Sequence, residues 1–207
     1  MIPLVEVEPP SWSGAAHARN LTSAALRMTY QLRPHGAHNV GTTGPLLLVT
    51  RCEAVLAGAL VRALAPRPIH VVANEAMDRA IPGGVITSTG DVARSGPFAI
   101  ATQRTALAAL ADERAVLMAG SSPFVGYVAA ASGALVMPVV VLGADGSVPT
   151  DPPRPRSRID VFFLPPRNLD ASATHLRQST RSALAERIRQ HMSDAEQEAV
   201  MRMGGAA

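Results

Sequence analysis

Lysine is missing from the chain: all nineteen of its basic side chains are arginine. That excludes the P-loop, which needs a lysine on the phosphates, and Schiff-base catalysis, which needs an amine nucleophile. A single cysteine, Cys52, excludes an intramolecular disulfide and a Cys-rich metal site, and no His/Cys/acid cluster has metal-ligand spacing. Aromatic residues are only 3% of the chain and the formal net charge is +3, with the arginines scattered along the sequence. Few stacking platforms and no basic run argue against a nucleic-acid partner. No secretory leader is expected, because residues 1–10 carry Glu6, Glu8 and prolines where such a signal has a basic then apolar layout. The expectation is a cytoplasmic protein whose contact with the inner face of a membrane is peripheral at most. Thirty consecutive residues between Arg114 and Asp145 carry no charge, which is long enough for a spanning helix. Gly120, Ser121, Ser122 and Pro123 break that run early, and Gly133 and Pro138 break it again. Pieces of that length are a buried strand, helix, strand unit.

What is present suits an α/β fold. Apolar residues make up 47% of the chain, mostly Ala, Val and Leu, the stock for buried parallel strands under Ala-rich helices. From Pro45 onward short β-branched runs alternate with helical stretches. The predicted strands are 46–50, 69–73, 85–89, 115–119, 135–142 and 159–164, and the predicted helices between them 53–64, 97–111 and 124–132. A first helix is predicted over 14–32, covering the sheet, the alternative being that it lies on a membrane surface. Residues 145–158 form a Pro- and Arg-rich connecting loop. Beyond Pro165, Asp170 caps a long helix with Leu176, Thr180, Leu184 and Ile188 along one side, and Ser193 with Glu196 reads as a capping box that starts a last short helix. The C-terminal helices together span 171–203, and the whole reads as one domain, 1–207, with a mostly parallel central sheet flanked by helices.

The segment Leu32-Arg33-Pro34-His35-Gly36-Ala37-His38-Asn39-Val40-Gly41-Thr42-Thr43-Gly44-Pro45-Leu46-Leu47-Leu48-Val49-Thr50 resembles the leading segment of the glycerolipid (lysophosphatidate) acyltransferases. The spacing of Gly36, Asn39 and Gly44-Pro45 is its most specific part. Pro66 to Ala73 resembles the second strand of that family, Gly133 to Val139 its "G-A-P-V-V-P-V" strand and Arg158 to Pro166 its closing strand. The likeness spans about two thirds of the chain in the family's order, and it implies the acyltransferase fold.

The same resemblance shows what has been replaced. Family members carry a His that deprotonates the acceptor hydroxyl, with an Asp five residues later that orients the imidazole. Aligned on the shared Gly-Pro, those places fall on Cys52 and Ala57. A thiol of ordinary pKa is mostly protonated at neutral pH, and Ala has no polar atom. The family's Phe-Pro-Glu-Gly-Thr-Arg signature corresponds here to Leu117-Met118-Ala119-Gly120-Ser121-Ser122, with Gly and one hydroxyl kept and the Glu and Arg gone. Its Gly-x-x-x-x-Arg element has a remnant in Gly90 to Arg94, which makes Arg94 a candidate anion contact against the alternative of a surface loop arginine. Two further pairs have the His-to-acid spacing, His70 with Glu75 and His191 with Glu196, a number close to chance. Cys52, just past a strand and opening a helix whose dipole would activate the thiol, is a candidate acyl-accepting nucleophile; the alternative is a small buried hydrophobe. Gly120-Ser121-Ser122-Pro123-Phe124 begins like a nucleophile elbow and lacks the final Gly.

The function expected from these readings is a degenerate acyltransferase-type protein of lipid metabolism, a pseudoenzyme that binds a lipid, an acyl group or a protein partner. The first alternative is an active phospholipid or glycerolipid acyltransferase with Cys52 as catalytic residue and Glu53, Arg94, Gly120, Ser121 and Ser122 as binding residues. It would need no cofactor beyond an acyl-CoA or acyl-carrier-protein donor. The second is a protein-interaction scaffold that uses the Arg-rich loop or the C-terminal helices.

Overall fold

The computed structural model of the chain describes residues 23–52, 54, 56–72, 99–120, 124–147, 151–169 and 178–204, the side chains of 99–102 and 178–181 excepted. Its centre is a six-stranded sheet of β1 (Gln31–His35), β2 (Leu46–Thr50), β3 (Ile69–Val71), β4 (Ala115–Ala119), β5 (Leu135–Leu142) and β6 (Arg158–Phe163), in the order β1-β6-β5-β2-β4-β3. All neighbours run parallel except β5 and β6, which are antiparallel. Among the described residues it is accompanied by the helices α1 (Ala57–Leu64), α2 (Ala99–Ala111), α3 (Val125–Ser132) and α4 (Gln178–Gly204), and residues 23–29 are helical as well.

Helices cover both faces, which is why the central strands read as unbroken apolar runs. Alternate residues of each strand point to opposite sides. Leu46, Leu48, Leu117, Met137, Val139 and Phe163 pack with Leu60, Val61 and Leu64 of α1. Leu47, Val49, Val116, Met118 and Val136 pack beneath α2, α3 and the first half of α4. The second half of α4 closes over Val140 and Phe162 with Ala195 and Ala199. The charge-free stretch after Arg114 is accordingly β4, α3 and β5, and α3 stops where Gly133 takes the left-handed conformation (φ 61°) that ends a helix. Among the described residues no helix is long and apolar enough to cross a membrane.

Three boundaries differ from the sequence reading. The helix expected over 14–32 ends by residue 29, and residues 31–35 are an edge strand instead. Pro34 lacks the amide a helix would need and pushes Arg33 toward an extended backbone, which an edge strand accepts. The predicted residues 14–22 lie outside the described ones, as does the predicted strand 85–89. The break expected at Ser193 does not occur, because α4 runs continuously through it. Its buried residues Leu184, Ile188, Met192, Ala195 and Ala199 recur every three or four positions across that point, so one apolar stripe seats a single helix. Finally, the helix predicted from residue 53 begins at Ala57.

Candidate functional site

The site follows from the order of the strands. From β2 the chain enters α1 on one face of the sheet, and from β4 it enters α3 on the other. Since β2 and β4 are neighbours, their carboxyl ends diverge to opposite faces, and a crevice opens between them, as at the switch points of α/β sheets where ligands bind. Arg51 and Cys52 leave β2 there, and Gly120 leaves β4.

Backbone contacts shape the floor. Gly120 N–H donates to the Thr50 carbonyl at 2.7 Å, and Cys52 N–H donates to Thr50 Oγ1 at 3.2 Å. A Cβ on Gly120 would lie 3.2 Å from Val49 Cγ1, a tight approach that the valine would have to yield to by a few tenths of an ångström. β5 extends past the end of β2, and its Val140, Val141 and Leu142 wall a cleft of about 730 Å³. Met192 and Val200 of α4 form the facing wall, and Arg51, Asp145, Arg189 and Glu196 supply charge, two groups of each sign. Arg51 Nη1 is 3.1 Å from Glu196 Oε2, tying the end of β2 to α4. Both side chains are substantially exposed, so the pair contributes at most about 1 kcal/mol.

Of the residues singled out in the sequence, Cys52, Gly120 and Glu196 line this cleft. Glu53, Arg94, Ser121 and Ser122 lie outside the described residues. Cys52 is half-buried, packing against the cluster beneath α1 while also lining the cleft. Because α1 begins only at Ala57, Cys52 is not on its first turn and the expected helix-dipole activation is not available there. Ala57 itself is 1% exposed within the core.

No histidine lines the cleft among the described residues. His70 is buried in β3, and its spaced acid, Glu75, lies outside the described residues. His191 and Glu196 share one helix, where five positions turn the side chains about 140° apart; Glu196 reaches Arg51 instead. Burial lowers the His191 pKa, the Arg167 charge lowers it further, and Asp194 and Glu198 only partly counter this. Its Nε2 has no hydrogen-bond partner among the described residues. The unfolded chain therefore takes up this proton first, and stability falls as pH drops below about 6.5. His191→Leu is expected to flatten the urea-midpoint-against-pH curve below about pH 6.5; an unchanged slope would contradict this reading.

A second polar group, absent from the sequence reading, ties down β1. His35 Nε2 donates to Asp160 Oδ1 at 2.7 Å, while Arg158 Nε reaches Oδ2 at 2.6 Å and Nη2 reaches Oδ1 at 3.1 Å. The His35 ring stacks on Phe162 at 4.3 Å. Burial pushes the Asp160 carboxyl up, and the hydrogen bonds from Arg158 and His35, with their charges, overcome it and hold the group below the usual carboxylate range. This is a histidine with an acidic neighbour, yet neither lines the cleft. Arg158 already occupies both carboxylate oxygens, so the group serves to fasten the edge strand. The partners are 125 positions apart, and only the register of β1 on β6 brings them together.

These features define an α/β protein with the acyltransferase-like fold: a six-stranded, mostly parallel sheet, flanking helices and a C-terminal helix. Among solved structures it is similar to the crystal structure of the 1-acyl-sn-glycerophosphate (LPA) acyltransferase PlsC from Thermotoga maritima, with a TM-score of 0.59 over 86% of this chain and 78% of that one. Sequence identity is 11%, so the likeness is one of fold. No family model and no curated protein matches the sequence.

Proposed function

We propose that the chain is an acyltransferase-fold protein that has given up the family's general-base transfer and binds a lipid or acyl chain in the cleft. One observation carries this reading. The crevice at the ends of β2 and β4 keeps the volume and the apolar wall suited to a hydrocarbon chain, with Arg51 at its rim, but offers the Cys52 thiol where the resemblance places an imidazole. A cleft of about 730 Å³ is within the range of small-molecule sites, and a mostly apolar wall with a few charged groups is their usual make-up. Removing a general base commonly costs about 10²- to 10⁴-fold in rate, so an enzyme without it would need another route.

Two measurements test the reading together. A fluorescent long-chain acyl probe, titrated below its micelle concentration, is expected to bind saturably, and Gly120→Leu, which fills the floor of the cleft, is expected to weaken binding at least tenfold. Hydrolysis or transfer from a long-chain acyl thioester is expected to be no faster with the wild type than with Cys52→Ala. Turnover that collapses in Cys52→Ala would overturn the non-catalytic reading and establish Cys52 as a nucleophile. A folded protein that ignores the probe would instead point to a protein partner.

A further inference from the structure

The geometry points to Arg51 as the receptor for the carboxylate of a long-chain fatty acid, with Glu196 as a built-in stand-in that the ligand displaces. This names the ligand class of the cleft and rests on the reading of the cleft as an acyl site.

One ion pair straps the two walls of the cleft together. Arg51 leaves the end of β2 and its stem runs over the floor, since a Cβ added at Gly120 would lie 3.5 Å from Arg51 Cγ. Its guanidinium then crosses to α4, where Nη1 donates to Glu196 Oε2 at 3.1 Å. The cleft-lining residues of α4 are Arg189, Met192, Glu196 and Val200, three or four positions apart and so on one face of the helix. Glu196 is therefore a carboxylate set between two apolar side chains, each about one turn away, across from Val140, Val141 and Leu142. A carboxylate on Arg51 beside hydrocarbon is the arrangement a fatty acid brings, with its head on the guanidinium and its chain along the apolar wall.

The strap opens at little cost. The Arg51 and Glu196 side chains are 50% and 37% exposed, so water screens their attraction. The helix does not depend on the pair for its seat, because Leu184, Ile188, Met192, Ala195 and Ala199 already bury one side of it. A carboxylate that arrives with an acyl chain adds the burial of that chain, which Glu196 cannot offer. Once displaced, Glu196 turns its charge to the water on its exposed side.

The balance of charge selects the head group. Arg51 and Arg189 are matched by Glu196 and Asp145, so the cleft carries no net charge. Arg189 is held by Glu186 of its own helix, whereas Asp145 is exposed and forms no ion pair among the described residues. A single negative charge can replace that of Glu196 on Arg51. A phosphate monoester brings nearly two, and the second would face Asp145 and the displaced Glu196 with Arg189 already engaged. A carboxylate fits that balance.

The test is displacement of the fluorescent acyl probe from the full chain by laurate, by dodecanol and by the lysophosphatidate of the same chain, each below its micelle concentration. Laurate is expected to displace the probe about tenfold better than dodecanol, the margin a charge-assisted hydrogen bond leaves after the strap is opened. Arg51→Gln is expected to erase that difference. Glu196→Gln, which takes the stand-in away from Arg51, is expected to tighten laurate binding about three- to fivefold. Arg104→Gln removes the same charge from an exposed site on α2 and is expected to keep the preference. Laurate no better than dodecanol on the wild type overturns the inference, as does a preference that survives Arg51→Gln. Weaker laurate binding in Glu196→Gln would reduce the pair to a structural tie and overturn it too, and lysophosphatidate ahead of laurate would overturn the assignment to a single charge. Failure of the acyl-site reading looks different: neither the probe nor dodecanol then binds to any of these proteins, and both proposals fall. Where probe and dodecanol bind and laurate gains nothing, only the head-group inference falls.

Discussion

Gly36→Ala is expected to lower the unfolding free energy by about 3–5 kcal/mol, read as a shift of the urea midpoint. Gly36 follows β1 with φ 67°, and an added Cβ would lie 2.4 Å from the carbonyl oxygen of Phe163. The left-handed backbone alone costs an L-residue about 1–2 kcal/mol, and the clash adds to it, because the Cβ position is fixed by the backbone and its neighbour is a backbone carbonyl, so neither atom can rotate away. The remaining escape is for β1 to draw back from β6, which would stretch the hydrogen bond from Asn39 Nδ2 to the same Phe163 carbonyl, now 2.8 Å. It would also open the His35–Asp160 contact. Since a domain of this size is commonly stable by about 5–15 kcal/mol, the loss is a large part of the total. A wild-type midpoint in Gly36→Ala would show that the turn relaxes freely and that the join of β1 to β6 is not set here.

This glycine also explains part of what could be read from the sequence. The resemblance rested on Gly36, Asn39 and Gly44-Pro45, and these are joints of the chain. Gly36 and Asn39 lock the end of β1 to the end of β6, and Gly44 takes φ 82° at the entry to β2. At that same end Arg67 donates to the carbonyls of Gly41, Gly44 and Glu113 and fixes the starts of β2 and β4. Backbone joints tolerate few residue types, so they stay legible even where overall identity to a protein of similar fold is 11%. The strands were legible for a different reason, since burial on both faces makes them apolar without interruption. The cleft was legible only in half. Cys52 and Gly120 stand at strand exits that periodicity can locate, but Glu196 meets Arg51 from 145 positions away. Local periodicity carries no information about such meetings.

The helix that supplies half of the cleft has no partner in the sequence pattern beyond its own stripe, and a change within that stripe should therefore act on both stability and binding. Ile188→Ala is expected to cost about 3–4 kcal/mol, within the span seen for deleting a buried branched side chain. Ile188 is wholly buried and belongs to the cluster that includes Val49, Met118 and Val128, where the sheet, α3 and α4 meet. The methyl groups it would lose seat α4 on the sheet, and Met192, Glu196 and Val200, the cleft residues of that helix, follow at intervals of about one turn. Once the stripe is undercut, the facing wall should loosen before the sheet does, because the β2–β4 and β2–β5 ladders make no contact with residue 188 through their backbone bonds. Acyl-probe affinity is accordingly expected to fall at least tenfold at urea concentrations well below the unfolding midpoint, whereas Ile188→Val, costing about 0.5–1.5 kcal/mol, should leave it nearly unchanged. An Ile188→Ala protein with full probe affinity and a wild-type midpoint would mean that α4 does not depend on this contact, and the cleft as described would lose its second wall.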